Sequence, residues 1–296
     1  TIHRAKVLLG SATPSVETYH NALTGKYGYV PLTKRHGDVT PPRIVTVDTK
    51  ELKRRKQMKS VLSPPLRSEM NKALSEGKQV ILLQNRRGFS PSIECSVCSW
   101  TPVCEHCDVS LTYHKSQRIM SCHYCGATYS IPDICPNCET PTLKFVGYGT
   151  ERIEEEVKEI FPDKNIVRMD LDTTRSKRAY ERIISGLENR MTDILIGTQM
   201  VSKGLDFDNV STVGILNADS ILNYPDFRAH EKAFQMMTQV SGRAGRKSKQ
   251  GTVLLQTSQP QHPVISCVVE NSYKRFYELQ MAERQLFYYP PFCRLI

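Results

Sequence analysis

From Arg43 to Thr257 the chain alternates short β-rich runs with stretches whose apolar residues recur every three to four positions. The spacing predicts strands over Arg43–Asp48, Gln79–Gln84, Lys144–Tyr148, Asn165–Asp170, Asp193–Thr198, Thr212–Asn217 and Gly251–Thr257. Several are continuous apolar runs, as expected of strands covered by helices on both faces. The helices between them have readable ends. Ser63-Pro64-Pro65 opens one that carries Leu66, Met70 and Leu74 and stops at Gly77. Thr150 is a candidate cap for a second, with Ile153, Val157, Ile160 and Phe161 on one face and Pro162 as its stop. Ser176 starts a third through Tyr180, Ile183, Ile184 and Leu187, and Phe227 to Val240 forms a fourth. This order predicts an α/β fold with a parallel sheet flanked by helices.

One stretch breaks the alternation. Eight of the ten cysteines form four C-x-x-C pairs: Cys95/Cys98, Cys104/Cys107, Cys122/Cys125 and Cys135/Cys138. Two thiolates at that spacing can face one tetrahedral Zn²⁺, and two pairs close a structural site, so the expectation is an inserted module with two zinc ions. The first two pairs are only five residues apart, whereas fourteen residues separate Cys107 from Cys122, enough for a hairpin with a knuckle at each end. The favoured pairing is therefore nested. Cys104, Cys107, Cys122 and Cys125 form the inner site, and Cys95, Cys98, Cys135 and Cys138 the outer one. Disulfides are the alternative, but they belong to small secreted domains. His106, His114 and His123 are expected to be spectators, Trp100 and Tyr113 either stack bases or fill the module's small core, and Cys267 and Cys293 are expected as packed or surface thiols.

The net charge of +10 favours a polyanionic partner, with a solvated basic surface as the alternative. Part of the excess is local. Lys50, Lys53, Arg54, Arg55, Lys56 and Lys59 crowd around the single acid Glu51 and read as a solvated loop that can also touch phosphates. No run of eighteen apolar residues exists, so no transmembrane span is expected. The start, Thr1-Ile2-His3-Arg4, reads like the interior of a longer protein.

Three short segments carry the candidate chemistry. Gly10-Ser11-Ala12-Thr13-Pro14 follows an apolar run, Val7-Leu8-Leu9, expected as a strand. Gly197-Thr198-Gln199-Met200 ends a strand and leads to Lys203-Gly204-Leu205-Asp206-Phe207. Gln239-Val240-Ser241-Gly242-Arg243-Ala244-Gly245-Arg246 closes a helix, where a Gly-Arg turn can also be a plain basic C-cap. In this order they resemble motifs III, V and VI of superfamily 2 helicases. Together with the cysteine module, Asn85-Arg86-Arg87-Gly88, Pro225-Asp226-Phe227-Arg228-Ala229 and Tyr289-Pro290-Pro291-Phe292, the chain resembles the primosomal replication-restart helicases over nearly its whole length.

That resemblance implies a RecA-like sheet and a DNA-dependent ATPase. It would unwind duplex 3′ to 5′ at stalled forks, with two structural zincs, ATP and Mg²⁺ as cofactors. The implied partners are forked or single-stranded DNA, primosome proteins and single-stranded DNA-binding protein, in the bacterial cytoplasm and nucleoid. It implies the end of a first motor lobe over 1–40, the start of a second over 41–93, the zinc module over 94–140, the rest of the second lobe over 141–284, and a further domain opening at 285–296. Arg243 and Arg246 are the expected arginine fingers, because a guanidinium is a rigid, permanent charge for the separating γ-phosphate. Gln239 is placed to orient water or sense nucleotide. Gly204 lets backbone approach phosphate, and Asp206 links that contact to the arginines. Thr198, Gln199 and Lys203 are expected on the DNA backbone, as are Arg86 and Arg87 beyond a strand's carboxyl end. Ser11 and Thr13 suit a relay between nucleotide and DNA.

A G-x-x-x-x-G-K-[ST] loop and an acidic Mg²⁺ box do not occur in this sequence. In the family they belong to the first lobe, so the chain is expected to lack ATPase activity by itself. Two rival readings stand beside the helicase. One is a non-enzymatic zinc-ribbon module that binds nucleic acid or protein, and the other is a remodelling ATPase that translocates without separating strands.

Overall fold

The computed structural model describes residues 6–32, 40–84, 92–107, 109–114, 119–122, 125–146, 150–170, 173–174, 176–198, 207–245 and 250–294. The chain starts with α1 (Val16–Leu23), capped by the Ser15 hydroxyl, which accepts from the Thr18 amide. β1 (Arg43–Asp48) follows, and its last residue caps α2 (Thr49–Arg54), with Asp48 accepting from the Glu51 N–H at 2.9 Å. The basic run is thus partly helical and not simply a loop. Glu51 holds the Arg54 and Arg55 guanidiniums one turn away, which supports the helix against the crowding of like charges. α3 (Pro64–Ser75) begins on the Ser63 cap with two prolines in its first turn and gives way at Gly77, whose φ of +66° suits glycine. β2 (Gln79–Leu83) is buried throughout.

β3 (Ser92–Cys95), β4 (Thr112–His114), β5 (Ile119–Ser121), β6 (Thr128–Ser130) and β7 (Leu143–Val146) then form the cysteine module. The α/β order resumes with α4 (Thr150–Ile160), β8 (Ile166–Met169), α5 (Lys177–Glu188), β9 (Ile194–Gly197), β10 (Val210–Ile215), α6 (Asp219–Leu222) and α7 (Ala229–Ser241). It ends with β11 (Thr252–Thr257), α8 (Pro263–Val269) and α9 (Tyr273–Leu286).

Six of the seven expected strands form one sheet in the order β1-β11-β10-β2-β9-β8, with every pairing parallel. Side chains alternate between two cores, as a pleated sheet covered on both faces requires. Ile81, Leu83, Leu195, Val213, Ile215, Val253 and Leu255 meet α5, α7, α8 and α9 on one face. Val80, Leu82, Ile194, Ile196 and Leu254 meet α3 and α4 on the other.

The seventh expected strand belongs elsewhere. β7 pairs antiparallel with β3, with Cys95 opposite Leu143 and Ser92 opposite Val146. The strands leading into and out of the insertion therefore zip together, and the main sheet closes across the gap without them. Two further expectations need correction. Val7, Leu8 and Leu9 form no strand and are 80%, 97% and 72% exposed, because no neighbouring strand among the described residues receives their backbone. Thr150 is the first residue of α4 rather than its cap, and its hydroxyl instead donates to Asp170 at 2.7 Å, tying the helix start to the end of β8.

Candidate functional site

The four C-x-x-C pairs share one local fold. In the Cys95, Cys122 and Cys135 knuckles, the cysteine N–H donates to the carbonyl five residues on, while its own carbonyl accepts from the amide four residues on. The residue at that fourth position turns left-handed in all three: Ser99 (φ 60°), Gly126 (φ 73°) and Glu139 (φ 54°). Cys104 also donates, to the Val109 carbonyl at 2.8 Å. In the first knuckle the Cys98 amide also donates to Cys95 Sγ at 3.5 Å.

The knuckles assemble in the nested arrangement. Cys95, Cys98, Cys135 and Cys138 bring their Sγ atoms within 4.8 Å of one another, as do Cys104, Cys107, Cys122 and Cys125. The sulfurs approach to 3.5 Å in Cys95–Cys138 and Cys98–Cys135 and to 3.6 Å in Cys104–Cys125, far beyond a disulfide bond, and all ten cysteines are free thiols. The charge balance asks for a cation. At Cys95, burial raises the pKa, but the Thr142 hydroxyl and the amides of Cys98 and Val97 outweigh it and hold the thiol at about 5. Cys104 is likewise held at about 6, burial opposing while the Tyr129 hydroxyl and the His106 and Cys107 amides lower it. Their neighbours go the other way. Burial and the adjacent thiols push Cys107 up to about 12 and Cys135 up to about 11. A divalent ion at the centre of each quartet stabilises all four thiolates at once, and these quartets are structural zinc sites.

Thr142 (3.2 Å from Cys95 Sγ) and Tyr129 (3.5 Å from Cys104 Sγ) are outer partners that spacing alone did not reveal. Tyr113 is buried with Ile93, Leu111 and Met120, so it fills the module's core.

The second set of residues gathers around α7. Gln239 Nε2 donates to Thr13 Oγ1 at 3.2 Å, and the Thr13 amide donates to Ser11 Oγ at 3.1 Å, so the first and last of the three motifs touch. Beyond Gln239 the helix ends in a tight turn. The amides of Gly242, Arg243 and Ala244 donate to the carbonyls of Thr238, Val240 and Ser241, and the Gly245 amide donates to Val210 at 2.9 Å. Gly245 has a φ of +74°, which accounts for the second glycine of the turn. A Cβ on Gly251 would stand 2.4 Å from the Ala244 carbonyl carbon, so the start of β11 is pressed against this turn. Arg243 is thereby held in place and mostly buried.

Thr198 is buried at the carboxyl end of β9. Arg86, Arg87, Gln199, Lys203, Gly204, Asp206 and Arg246 lie outside the described residues. Their neighbours in the chain are nonetheless informative. Residues 85–91 and 199–206 follow directly from β2 and β9, which pair side by side with Leu83 opposite Gly197. Val210, four residues beyond Asp206, accepts from Gly245, one residue before Arg246. Val210 pairs with Gln79, so the Gly245 turn meets the sheet at the amino end of β10, opposite the carboxyl ends of β2 and β9.

The parallel six-stranded sheet with helices on both faces is a RecA-like fold. Residues 136–248 match the helicase conserved C-terminal domain, and residues 104–129 match the PriA DNA helicase Cys-rich region domain. Relatives agree over almost the whole chain. It is 42% identical to the replication restart protein PriA of Bacillus subtilis over 99% of its length, and 42% identical to that of Haemophilus influenzae over 97%. By these matches the chain belongs to the PriA family of replication restart proteins. It spans 36% and 39% of those two relatives' lengths. The structure of RecG bound to a three-way DNA junction superposes over 94% of this chain and 28% of its own with a TM-score of 0.51 at 10% identity, a likeness of fold. No helix among the described residues is long and apolar enough to cross a membrane.

Proposed function

We propose that the chain is the second motor lobe, with its inserted zinc module, of an ATP-dependent DNA helicase acting 3′ to 5′ in replication restart. The observation that carries this is the Gln239–Thr13 contact beside the Gly242–Gly245 turn, because it joins the expected relay segment to the helix that presents the arginines. Arg243 and Arg246 supply fixed positive charge to the γ-phosphate, Gly204 and Asp206 complete that wall, and Gln239 positions water or reports the nucleotide's state. ATP and Mg²⁺ are held chiefly by a first lobe, for which residues 1–40 serve as the end and connector. The lobe itself is divided by the module, 41–93 before it and 141–284 after it, with 285–296 leading to a further domain. By this reading the chain alone does not turn over ATP.

DNA passes over the carboxyl ends of β2 and β9, where Arg86, Arg87, Thr198, Gln199 and Lys203 meet its phosphates. The net charge of +10 and the basic α2 support a polyanionic partner. Primosome proteins and single-stranded DNA-binding protein are the protein partners, in the cytoplasm at the nucleoid. The test is Arg243→Ala in the full-length protein. ATP turnover falls on the order of 10³-fold, the scale of an arginine finger, while affinity for single-stranded DNA stays near wild type. Unchanged hydrolysis would return the chain to a zinc-ribbon binding module.

A further inference from the structure

The segment that carries Thr13 is pinned to the lobe residue by residue. Thr13 accepts from Gln239. The Pro14 carbonyl accepts from the Tyr273 hydroxyl at 2.8 Å and from Gln235 at 3.3 Å. Val16 is fully buried in the main core, and Glu17 accepts from Arg228 at 2.8 Å. Behind these contacts stands one side chain. Arg284, on α9, is 1% exposed, and its guanidinium reaches three separate elements: Glu17 of α1 at 3.1 Å, Glu231 of α7 at 2.5 Å, and the Pro290 carbonyl beyond α9 at 3.1 Å. Glu231 is itself buried, and Arg284 is the cation that faces it. Breaking such a pair by removing one partner leaves the other charge buried and uncompensated.

The same guanidinium is linked to the zinc module through two aromatic rings. It lies 5.4 Å from the centre of the Phe227 ring, Phe227 stacks on Tyr289 at 4.8 Å, and the Tyr289 hydroxyl donates to the carbonyl of Cys107 at 3.0 Å. Cys107 is a ligand of the inner quartet. A continuous set of contacts therefore runs from Thr13 through Arg284 to one zinc site.

We infer that Arg284 is a positioning residue. It clamps α1, and with it Thr13, onto α7 beside Gln239, and it joins that clamp to the inner zinc site through Phe227 and Tyr289. Lysine cannot replace it, because a point charge does not bridge two carboxylates and a carbonyl at fixed angles. The consequence for ATP turnover rests on the proposed motor function. The clamp itself does not.

The test uses the zinc-loaded full-length protein with Glu17→Gln, Arg284→Lys and Tyr289→Phe. Amide exchange read by mass spectrometry over residues 16–23 quickens about tenfold in the first two variants, while β2 and β9 keep their protection. Zinc loss to a chelator quickens roughly tenfold at one of the two sites in Arg284→Lys and Tyr289→Phe, the other keeping the wild-type rate. The kcat for DNA-stimulated ATP hydrolysis falls about tenfold in Arg284→Lys with KM for ATP within about twofold. Unaltered exchange in Glu17→Gln, which keeps its size and fold, overturns the clamp even where Arg284→Lys fails to fold. Quickened exchange with wild-type turnover sustains the clamp and removes the role assigned to Gln239.

Discussion

Gln239 Nε2 and Thr13 Oγ1 lie 3.2 Å apart across 226 residues of sequence, and with the Gln235–Pro14 bond this hydrogen bond joins the segment ahead of α1 to α7, the helix just before Arg243. Thr13→Val keeps the shape of the buried threonine and removes the acceptor. In the full-length protein, kcat for ATP hydrolysis drops about tenfold, the DNA dissociation constant is unchanged, and the fold survives, since a lost neutral hydrogen bond costs about 1 kcal/mol. Steady-state kinetics with and without DNA check this. A kcat equal to wild type would separate the contact from catalysis.

Gly251 has no room for a side chain, because its Cβ would fall 2.4 Å from the Ala244 carbonyl carbon and 2.6 Å from the Gly245 nitrogen. Both are backbone atoms, so Gly251→Ala must shift the turn that holds Arg243. Denaturant unfolding is expected to show a loss of about 1–3 kcal/mol. ATP turnover should fall more than Gly77→Ala lowers it, since Gly77 ends α3 with no atom within 4 Å of its Cβ position.

His262 caps α8 through its ring, with Nδ1 accepting the Val264 amide at 3.2 Å. Burial, and then His230 beside it, lower its pKa to about 4. A lowered value means that the folded state resists protonation. The stabilisation is whole above about pH 6.5 and disappears as pH falls through 4, on the order of 3 kcal/mol in all. His262→Asn keeps a capping acceptor without the titration. Unfolding free energies measured from pH 7 to pH 4 should fall more steeply in wild type than in this variant, and parallel slopes would contradict the assignment.

Elemental analysis of the purified protein is expected to give two zinc atoms per chain. Thr142→Val removes the hydroxyl beside Cys95 Sγ and so loosens the outer site alone. Chelator competition should show one site weakened about 10- to 100-fold and the other unmoved. Equal weakening of both would mean that the quartets are not independent.

The α/β order was legible because it rests on local patterns. The fully buried strands Val80–Leu83 and Ile194–Gly197 announce themselves as apolar runs, and Ser63 and Ser176 cap their helices where the pattern starts. The nested cysteine pairing was legible from loop lengths alone. What escaped was whatever a distant neighbour decides. Val7–Leu9 has the composition of a strand but no strand partner among the described residues, and Lys144–Val146 has it too but pairs with β3 instead of the main sheet. α8 and α9 were missed because their weight lies in contacts such as Phe276 on Phe234, which sequence spacing does not encode. For the same reason nothing in the sequence singled out Arg284. The left-handed turns at Ser99 and Glu139 carry no glycine to mark them, unlike Gly126 in the same position of its knuckle.

The most direct measurement is a structure of the full-length protein with single-stranded DNA and a trapped, non-hydrolysable ATP analogue. The Arg243 guanidinium is expected within about 3 Å of a γ-phosphate oxygen, with Gln239 alongside. Arg243 turned away from the nucleotide, with some other cation on that phosphate, would contradict it.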